Sequence, residues 1–480
     1  MIKGRYGDLS PLLFGVLAGL TPPLLFFSAS SAGLHSQYAL IYGYGLAGIP
    51  FYIMWIKVEK LPQERTTLLA ILTLAACVRF LSLTVPPLLS EDLWRYIWDG
   101  SISWNHINPY TYAPNDPSLD LLSRTENLSM VRDQIGHGEI PTIYPPGAQL
   151  IFALATSGGP SQMMMRTMMI AGDLISIFMI WKLAEIRKIH PGCSALYAFL
   201  PLACMESSIG GHVDSVGIAF LLTGAYFSAN RRLLLAAISL TFAAGIKLAP
   251  LVLLIFLFRQ NKRLFWSLLS VTGAFILWSA IQYQTYPKGL VAFAHKWRGN
   301  DGLFGLIYAV SEMSIPVFSE IIRTSPWATK IVYVLVGGDT INPLTNSQCA
   351  FALSKICVLF ILGLMTLWTL LKCTNLLNAW WLFMGTLLLI SPMVHPWYLV
   401  WVLPICCLAN GDESKRFAQA FIVWGLVCWL AYLPRPQYLE TGIWTEQAWI
   451  KVLEYGPVWS LLIMAIIGHF RTNRVQAKRD

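Results

Sequence analysis

Residues 90–114 read SEDLWRYIWDGSISWNHINPYTYAP, a polar and aromatic stretch that directly follows a long apolar segment. It contains the carboxylates Glu91, Asp92 and Asp99 and the guanidinium of Arg95. Ionisable groups beside hydrocarbon are costly to hold, so they indicate a functional site more than a structural element. Carboxylates accept protons, an arginine binds phosphate, and aromatic rings stack on sugars or lie at the level of lipid headgroups.

The rest of the chain is strongly apolar. Of its 480 residues 56% are hydrophobic and 12% are charged, against roughly 25% charged in soluble proteins. Apolar runs long enough to cross about 30 Å of hydrocarbon recur from end to end. The first run is followed by others and lacks a small-residue cleavage site, so it is a membrane helix and not a removed signal. The sequence predicts an all-α polytopic membrane protein, a single domain over 1–480 with about 12 transmembrane helices.

Charge and cysteine usage exclude several classes of partner. The net charge of +9 comes from basic residues in short loops, and no basic stripe with spaced aromatic residues indicates a nucleic-acid groove. The nine cysteines include no CxxC pair, so neither a zinc site nor a disulfide framework is predicted. We expect no cofactor, although a divalent metal stays open, and membrane lipid is the expected surrounding.

Basic loops orient the predicted spans, because positive residues concentrate on the cytoplasmic side. They place both termini in the cytoplasm and the long loop 90–146 outside. The expected spans lie near 10–29, 38–56, 67–88, 163–182, 193–209, 212–229, 264–282, 350–371, 376–392, 397–409, 417–433 and 452–470.

Two segments do not fit this alternation. Residues 147–157 are too short to span and are predicted to form an interfacial or re-entrant helix. Residues 233–257 have basic residues at both ends and a break at Gly245–Pro250. A helical hairpin that enters from the cytoplasmic side, raising Lys247 toward the outer face, and a proline-kinked helix both fit this pattern.

Adjacent Glu91 and Asp92 are the candidates for chemistry. Transfer of a sugar to a hydroxyl needs a base within hydrogen-bond reach, and a departing phosphate needs cations that stabilise its charge. Asp92 is preferred because Arg95 and Asp99 follow it at helical spacing on one face. Arg95 would hold a donor phosphate and Asp99 would orient it. The alternatives are a solvated acid or helix cap at Asp92 and a simple ion pair between Arg95 and Asp99.

Other polar motifs converge on the same outer face. Tyr96, the Asn108-Pro109-Tyr110 turn and Tyr144 either line a sugar pocket or form an interfacial aromatic belt. His212 and Asp214, in the sequence GGHVD, either hydrogen-bond a substrate hydroxyl or form a polar turn, since two ligands do not make a metal site.

Cations supply the second half of the predicted site. Lys247 either holds a lipid-linked phosphate or pairs with an acid such as Asp173. Arg298, in HKWRGNDG with Asn300 and Asp301, is a candidate phosphate ligand. His395, in HPWY with Tyr398, either donates to an anion or anchors the chain at the interface.

Together these motifs resemble those of the GT-C superfamily of integral-membrane glycosyltransferases. The similarity is greatest to bacterial polyprenyl-phosphate-mannose-dependent mannosyltransferases and to the membrane subunit that adds the first mannose to GPI anchors. It covers roughly residues 60–405 and rests on the following motifs in order: Asp92 with RYIWDG (95–100), NPY (108–110), YPP (144–146), GHVD (211–214), KLAP (247–250), NDGLF (300–304) and HPWY (395–398). Adjacent Glu91 and Asp92 depart from the usual pair of acids separated by one residue, so the choice between them stays open.

The resemblance implies a GT-C fold and a hexose, most simply mannose, taken from a polyprenyl phosphate by inverting displacement, with Asp92 as base. The acceptor would be a hydroxyl of a glycan, glycolipid or protein, and the site would face the periplasm across a bacterial inner membrane. Arg95, Lys247, Arg298 and His395 would hold the phosphate. A transporter or lipid-linked-sugar flippase is the alternative. It predicts inverted repeats and polar residues within many spans, whereas Arg79, Asp173 and Lys247 are the mid-span charges that the sequence shows.

Overall fold

The computed structural model describes residues 8–285, 287–337, 344–373 and 375–476. Within these ranges the protein is helical and has no β-strand; Gly299 and Met393 form an isolated bridge. Among the described residues, eight helices are long and apolar enough to cross a membrane, and seven shorter apolar helices accompany them. The predicted all-α polytopic fold is confirmed. The prediction that both termini are cytoplasmic rests partly on terminal basic residues that lie outside the described residues: Lys3, Arg5, Lys478 and Arg479.

The helices divide at the break that follows residue 260. Those of the N-terminal half are α1 (Ser10–Ser31), α2 (Ser36–Lys57), α3 (Arg65–Ser82), α4 (Asp92–Trp104), α5 (Asp120–Thr125), α6 (Ser129–Asp133), α7 (Pro146–Ala155), α8 (Gln162–Arg187), α9 (Ser194–Ala198), α10 (Pro201–Ser208), α11 (Asp214–Ala229), α12 (Leu233–Ile246) and α13 (Val252–Gln260). Those of the C-terminal half are α14 (Lys262–Tyr283), α15 (Lys288–Lys296), α16 (Gly302–Thr324), α17 (Pro326–Val336), α18 (Asn346–Lys372), α19 (Leu376–Ile390), α20 (Leu403–Cys406), α21 (Asp412–Val427), α22 (Arg435–Thr441) and α23 (Ala448–Gln476).

Two of the predicted spans are not single helices, which corrects the sequence analysis. Residues 193–209 form α9 and α10, and residues 397–409 form a 3₁₀ segment (Pro396–Trp401) followed by α20. Pro201 and Pro404 each stand in the first turn of the second helix, where the missing N–H costs nothing. Leu200, which precedes Pro201, is extended, as a residue before proline prefers.

Segment 233–260 is a hairpin, as one of the two alternatives predicted. The helix α12 packs antiparallel on α11, so that Lys247 reaches Asp214 at the start of α11. The chain then returns through α13, where Arg259 donates to the carbonyl of Leu370 and Gln260 donates to that of Cys373. The turn at Lys247 and the two basic ends therefore lie at opposite ends of the bundle.

Close helix contacts fix the loop 90–146 on this hairpin. The short helix α7 forms where it was predicted, and Gly147 in its first turn lies against the backbone of Gly245. On its other side α7 packs on α4, where a Cβ at Gly100 would stand 2.4 Å from the carbonyl oxygen of Phe152. These glycines let three backbones approach closely, which brings the start of α4 and the turn at Lys247 to one place.

The buried core includes a charged pair away from the outer loop. Arg79 of α3 and Asp173 of α8 are fully buried, with Nε of Arg79 2.6 Å from the carboxylate. The hydroxyl of Tyr197 donates to the same carboxylate at 2.6 Å. Buried charges are tolerated when they are paired and hydrogen-bonded in this way. Asp173 is thus not the partner of Lys247, which corrects that alternative.

Candidate active site

A cavity of about 800 Å³ opens between α4, the loop before α7, the turn at Lys247, the segment before α16 and the HPWY segment. Its volume lies in the range of roughly 300–1,000 Å³ that is typical of ligand sites. Ten of the predicted site residues line it: Glu91, Asp92, Arg95, Tyr144, Asp214, Lys247, Arg298, Asn300, His395 and Tyr398. The other six lie behind the lining: Tyr96, Asp99, Asn108, Tyr110, His212 and Asp301.

Asp92 is the first residue of α4 and faces the cavity. Its backbone N–H donates to Oγ of Ser90 at 3.2 Å, and about a third of its side chain remains accessible. Oδ2 lies 3.9 Å from Nε2 of His212. Burial raises the pKa of Asp92, while His212 and the Tyr144 hydroxyl partly oppose that rise. A carboxylate in this setting is a better proton acceptor than an aspartate in water.

Glu91 is held differently although it is the next residue in the chain. Nη1 of Arg435 donates to its Oε1 at 2.9 Å, and Nε of Arg435 donates to the carbonyl of Leu88. Glu91 therefore ties α22 to the start of α4. Arg435 lines the cavity and was not among the predicted residues; its position between the predicted spans 417–433 and 452–470 was the available signal.

Arg95 and Asp99 form the ion pair that the simpler alternative predicted. Nε of Arg95 donates to Asp99 at 3.0 Å, and Nη2 donates to the carbonyl of Ile140 at 2.8 Å. Asp99 also accepts from Gln149 at 3.2 Å. The pair joins α4 to the loop and to α7, and it leaves the guanidinium of Arg95 at the cavity wall.

The aromatic motif of the loop is mostly structural in its contacts. The ring of Tyr96 stacks on Phe152 at 4.4 Å and meets Tyr144 edge-on at 4.9 Å. Asn108 donates to the carbonyl of Tyr283 at 2.5 Å, and the hydroxyl of Tyr110 donates to the carbonyl of Tyr144 at 2.7 Å. Contact of Tyr96, Asn108 and Tyr110 with a substrate stays a prediction. In the structure Tyr96 and Tyr110 contact Tyr144, which lines the cavity.

Three aromatic rings from two predicted motifs form a stack. The imidazole of His212 lies on the indole of Trp397 at 4.0 Å, and the indole lies on the imidazole of His395 at 4.2 Å. Burial, with Lys247 and His212 adding to it, lowers the pKa of His395 to about 3. His395 is therefore neutral near pH 7, and it would meet an anion as a hydrogen-bond donor and not as a charge.

The pKa values of the two histidines shift in opposite directions. Burial works against a charged His212 ring, but the carboxylates of Glu206, Asp92 and Asp214 outweigh it and raise the pKa of His212. Nδ1 of His212 is 2.8 Å from Oε2 of Glu206, a buried acid of α10 that was not predicted.

Lys247 projects into the cavity from the hairpin turn. It forms an ion pair with Asp214, and its Nζ lies 3.6 Å from the centre of the Tyr398 ring. Nε1 of Trp401 donates to the same carboxylate at 2.5 Å. Residues that the sequence placed in three separate motifs therefore meet at one cation.

The segment before α16 supplies the opposite wall. Nε of Arg298 is 2.6 Å from Asp301, and the guanidinium lies 3.9 Å from the Tyr308 ring. The backbone N–H of Asn300 donates to Glu446 at 2.8 Å. Asp301 pairs with Lys451, which also holds Glu446 at 2.8 Å. Glu446 and Lys451 were not predicted, and they connect this wall to the start of α23.

The lining is balanced in charge. The four lining Lys and Arg residues are each paired with a carboxylate: Arg95 with Asp99, Lys247 with Asp214, Arg298 with Asp301 and Arg435 with Glu91. Paired cations retain free N–H groups for a ligand of low charge. In the described part of the chain no three His, Cys, Asp or Glu side chains cluster as a metal site would require.

Two protein families match the chain, one on each half. A family described as alpha-(1->6)-mannopyranosyltransferase, N-terminal domain, matches residues 14–260, just over half of the chain. A family described as the MptB C-terminal domain matches residues 329–453. No curated protein matches it. The first matched region contains Asp92 and Lys247, and the second contains His395 and Arg435. Residues of both matched regions therefore line the cavity. The predicted GT-C resemblance is confirmed, and the chain belongs to the alpha-(1->6)-mannopyranosyltransferase family of membrane mannosyltransferases.

Proposed function

We propose that this mannosyltransferase takes mannose from a polyprenyl phosphate and transfers it, with inversion, to a hydroxyl on the extracytoplasmic side. The observation that carries the proposal is the meeting of one open carboxylate, Asp92, with Arg95, Lys247, Arg298 and Arg435 in a single cavity. A base and several cations are the groups that displacement of a phosphate by a hydroxyl requires.

The reaction would be a single displacement. The acceptor hydroxyl gives its proton to Asp92 as its oxygen forms the bond to the anomeric carbon. The bond from that carbon to the phosphate oxygen breaks, and its electron pair leaves with the phosphate. Lys247 and Arg298 stabilise the added charge, and His395 donates a hydrogen bond to it. No general acid is needed, because the lipid phosphate is already a good leaving group.

The family description suggests the identity of the product. An α-(1→6) linkage formed with inversion implies a β-linked donor and the 6-hydroxyl of a sugar as acceptor. A lipid donor is supported by the apolar side of the cavity, where Leu248, Leu290 and Phe293 form the wall. The near-neutral lining suits a phosphodiester of single charge.

The side of the membrane is supported by where basic residues lie. Arg187 contacts Asn378 and Arg259 contacts the end of α18, both at the end of the bundle opposite the cavity. Basic residues favour the cytoplasmic side, so the cavity would open to the other side. Cysteines introduced one at a time at Arg124 and Arg263, in a protein without its nine native cysteines, test this by labelling from outside intact cells. Only the cysteine at position 124 should be labelled. Labelling at position 263 and not at 124 would show that the orientation is the reverse.

Purified protein and a panel of polyprenyl-phosphate sugars test the reaction, with GDP-mannose as the nucleotide-sugar control. Mass spectrometry should show mannose transfer from the lipid donor, and NMR should show an α-linkage. Asp92→Asn should lower turnover by about 10² to 10⁴, the usual contribution of a general base.

The matched control is Glu91→Gln, which removes the neighbouring carboxylate and should cost less than tenfold. Transfer from GDP-mannose alone would refute the lipid donor. Normal turnover by Asp92→Asn would refute the assigned base. Movement of an intact lipid-linked sugar across vesicles, without product, would favour the flippase alternative.

A further inference from the structure

Glu206 and His212 form a buried extension of the site that the proposed chemistry has not used. Glu206 lies in α10 and is 3% exposed, and His212 is 1% exposed. The hydroxyl of Tyr432 donates to Oε1 of Glu206 at 2.6 Å, and Nδ1 of His212 lies 2.8 Å from Oε2. Nε2 of the same ring lies 3.9 Å from Oδ2 of Asp92. A carboxylate, an imidazole and a second carboxylate thus stand in line.

Two glycines and a backbone hydrogen bond hold the His212 ring beside Glu206. A Cβ at Gly210 would stand 2.6 Å from Nδ1 of His212 and 3.0 Å from Oε2 of Glu206. Gly211 has a φ of +66°, a conformation that favours glycine. The backbone N–H of His212 donates to the carbonyl of Glu206 at 2.8 Å, and Trp397 covers one face of the ring. The ring has little freedom to turn away from either carboxylate.

We infer that Glu206 and His212 are a positioning pair in which Glu206 keeps a proton on His212, and the charged ring keeps Asp92 ionised and directed toward the acceptor. This inference rests on the proposed role of Asp92 as base. His212 touches neither the acceptor nor the phosphate in this scheme, and it neither gives nor takes a proton during transfer.

The surrounding charges show why such a pair is needed. Asp92 is faced by Asp214, which disfavours its ionised form, and by Lys247 and the Tyr144 hydroxyl, which favour it. Lys247 is already committed to Asp214. On the far side of Trp397 the second ring, His395, is neutral near pH 7. A proton on His212, whose Nε2 lies 3.9 Å from Oδ2 of Asp92, would supply the positive charge that offsets the burial of Asp92.

The pH dependence of transfer tests the inference. Asp92 works as its carboxylate, so activity is present above its pKa and is lost as the pH falls through it. Glu206→Gln removes the charge that holds the proton on His212. The acidic limb of kcat should then move upward by about 1 to 3 pH units, the effect of losing an opposite charge within 4–6 Å. At alkaline pH the variant should regain most of the wild-type rate, with the donor KM little changed.

His212→Gln should move the limb in the same direction, and the double variant should be no worse than His212→Gln alone, because the two residues act as a unit. If the Glu206→Gln protein cannot be produced in folded form, the shift of the acidic limb in His212→Gln alone tests the inference. An equal loss of activity at every pH, with the limb unmoved, overturns the inference and leaves the pair structural. Full activity of Asp92→Asn would instead refute the proposed function, so the two failures are distinguishable.

Discussion

Two groups of charged side chains are buried in the same bundle, the pair Arg79–Asp173 and the line Glu206–His212–Asp92. The first is enclosed by protein, and the second opens to the cavity at Asp92. The Asp173 carboxylate is enclosed by Arg79, Tyr197 and Ser207 and is 1% exposed. The line that begins at Glu206 ends at Asp92, a third of whose side chain faces an 800 Å³ cavity. A closed network stabilises the fold, whereas an open one leaves a charged group available to a ligand. Substitutions in the two networks should therefore separate stability from activity.

The largest effect on stability is expected from Asp173→Asn. It leaves the guanidinium of Arg79 buried without its counter-charge, which typically costs about 3–5 kcal/mol. Thermal unfolding in detergent should show a large drop in melting temperature, while Asp92→Asn should melt close to wild type. The double variant Arg79→Met, Asp173→Leu should recover much of the loss, because it removes both charges. Equal melting of the two single variants would mean that the networks do not differ.

Lys247→Met should weaken donor use and cost less stability than Asp173→Asn, because the Asp214 carboxylate keeps its hydrogen bond from Trp401 and borders the cavity. Hydrogen bonds to charged groups contribute about 1.5–3 kcal/mol, so kcat/KM for the lipid donor should fall roughly 10- to 100-fold. Lys262→Met is the matched control and should retain activity. It removes an exposed charge at the first residue of α14, the end of that helix far from the cavity. If Lys247→Met changes the melting temperature and not kcat/KM, Lys247 belongs with the closed network.

Sequence patterns predicted the parts of this comparison that depend on local signals. Hydropathy located the spans, and the break at 245–250 located the hairpin turn. The motifs around Asp92, Lys247 and His395 do meet in one cavity. Their mutual partners, such as Asp214 for Lys247, depend on helix packing that spacing along the chain does not encode.

The residues that the sequence analysis missed gave signals of different strength. Glu206 lies inside the predicted span 193–209 and should have been counted with the mid-span charges, as should Glu454 and Arg166 in their spans. An acid within an apolar run is a functional candidate by default. Arg435 gave a weaker signal, because a basic residue in a loop is ordinary until its contact with Glu91 is known.

The contact between α7 and the hairpin gives a smaller and more local test. A Cβ at Gly147 would lie 2.7 Å from the carbonyl carbon of Gly245, so Gly147→Ala has to displace backbone. We expect a loss of about 1–3 kcal/mol of stability, typical of overpacking, together with a lower kcat because Lys247 follows Gly245 by two residues. Gly158→Ala, where a Cβ meets nothing within 4 Å, is the matched control. Unchanged melting and kcat in Gly147→Ala would show that this contact does not position the turn.

The smallest effect should come from an ion pair outside both networks. Arg132 and Asp120 lie in the same outer loop, 2.7 Å apart, with half of the Asp120 side chain exposed. Arg132 also donates to the carbonyls of Pro114 and Asp116, so it keeps partners when the carboxylate is removed. Asp120→Asn should change stability by less than about 1 kcal/mol, as exposed pairs do, and should leave transfer unchanged. If this variant instead raises KM for the acceptor while the donor KM stays constant, the outer loop takes part in acceptor binding. Proximity to the cavity, and not enclosure of the charge, would then decide which acids of the loop matter.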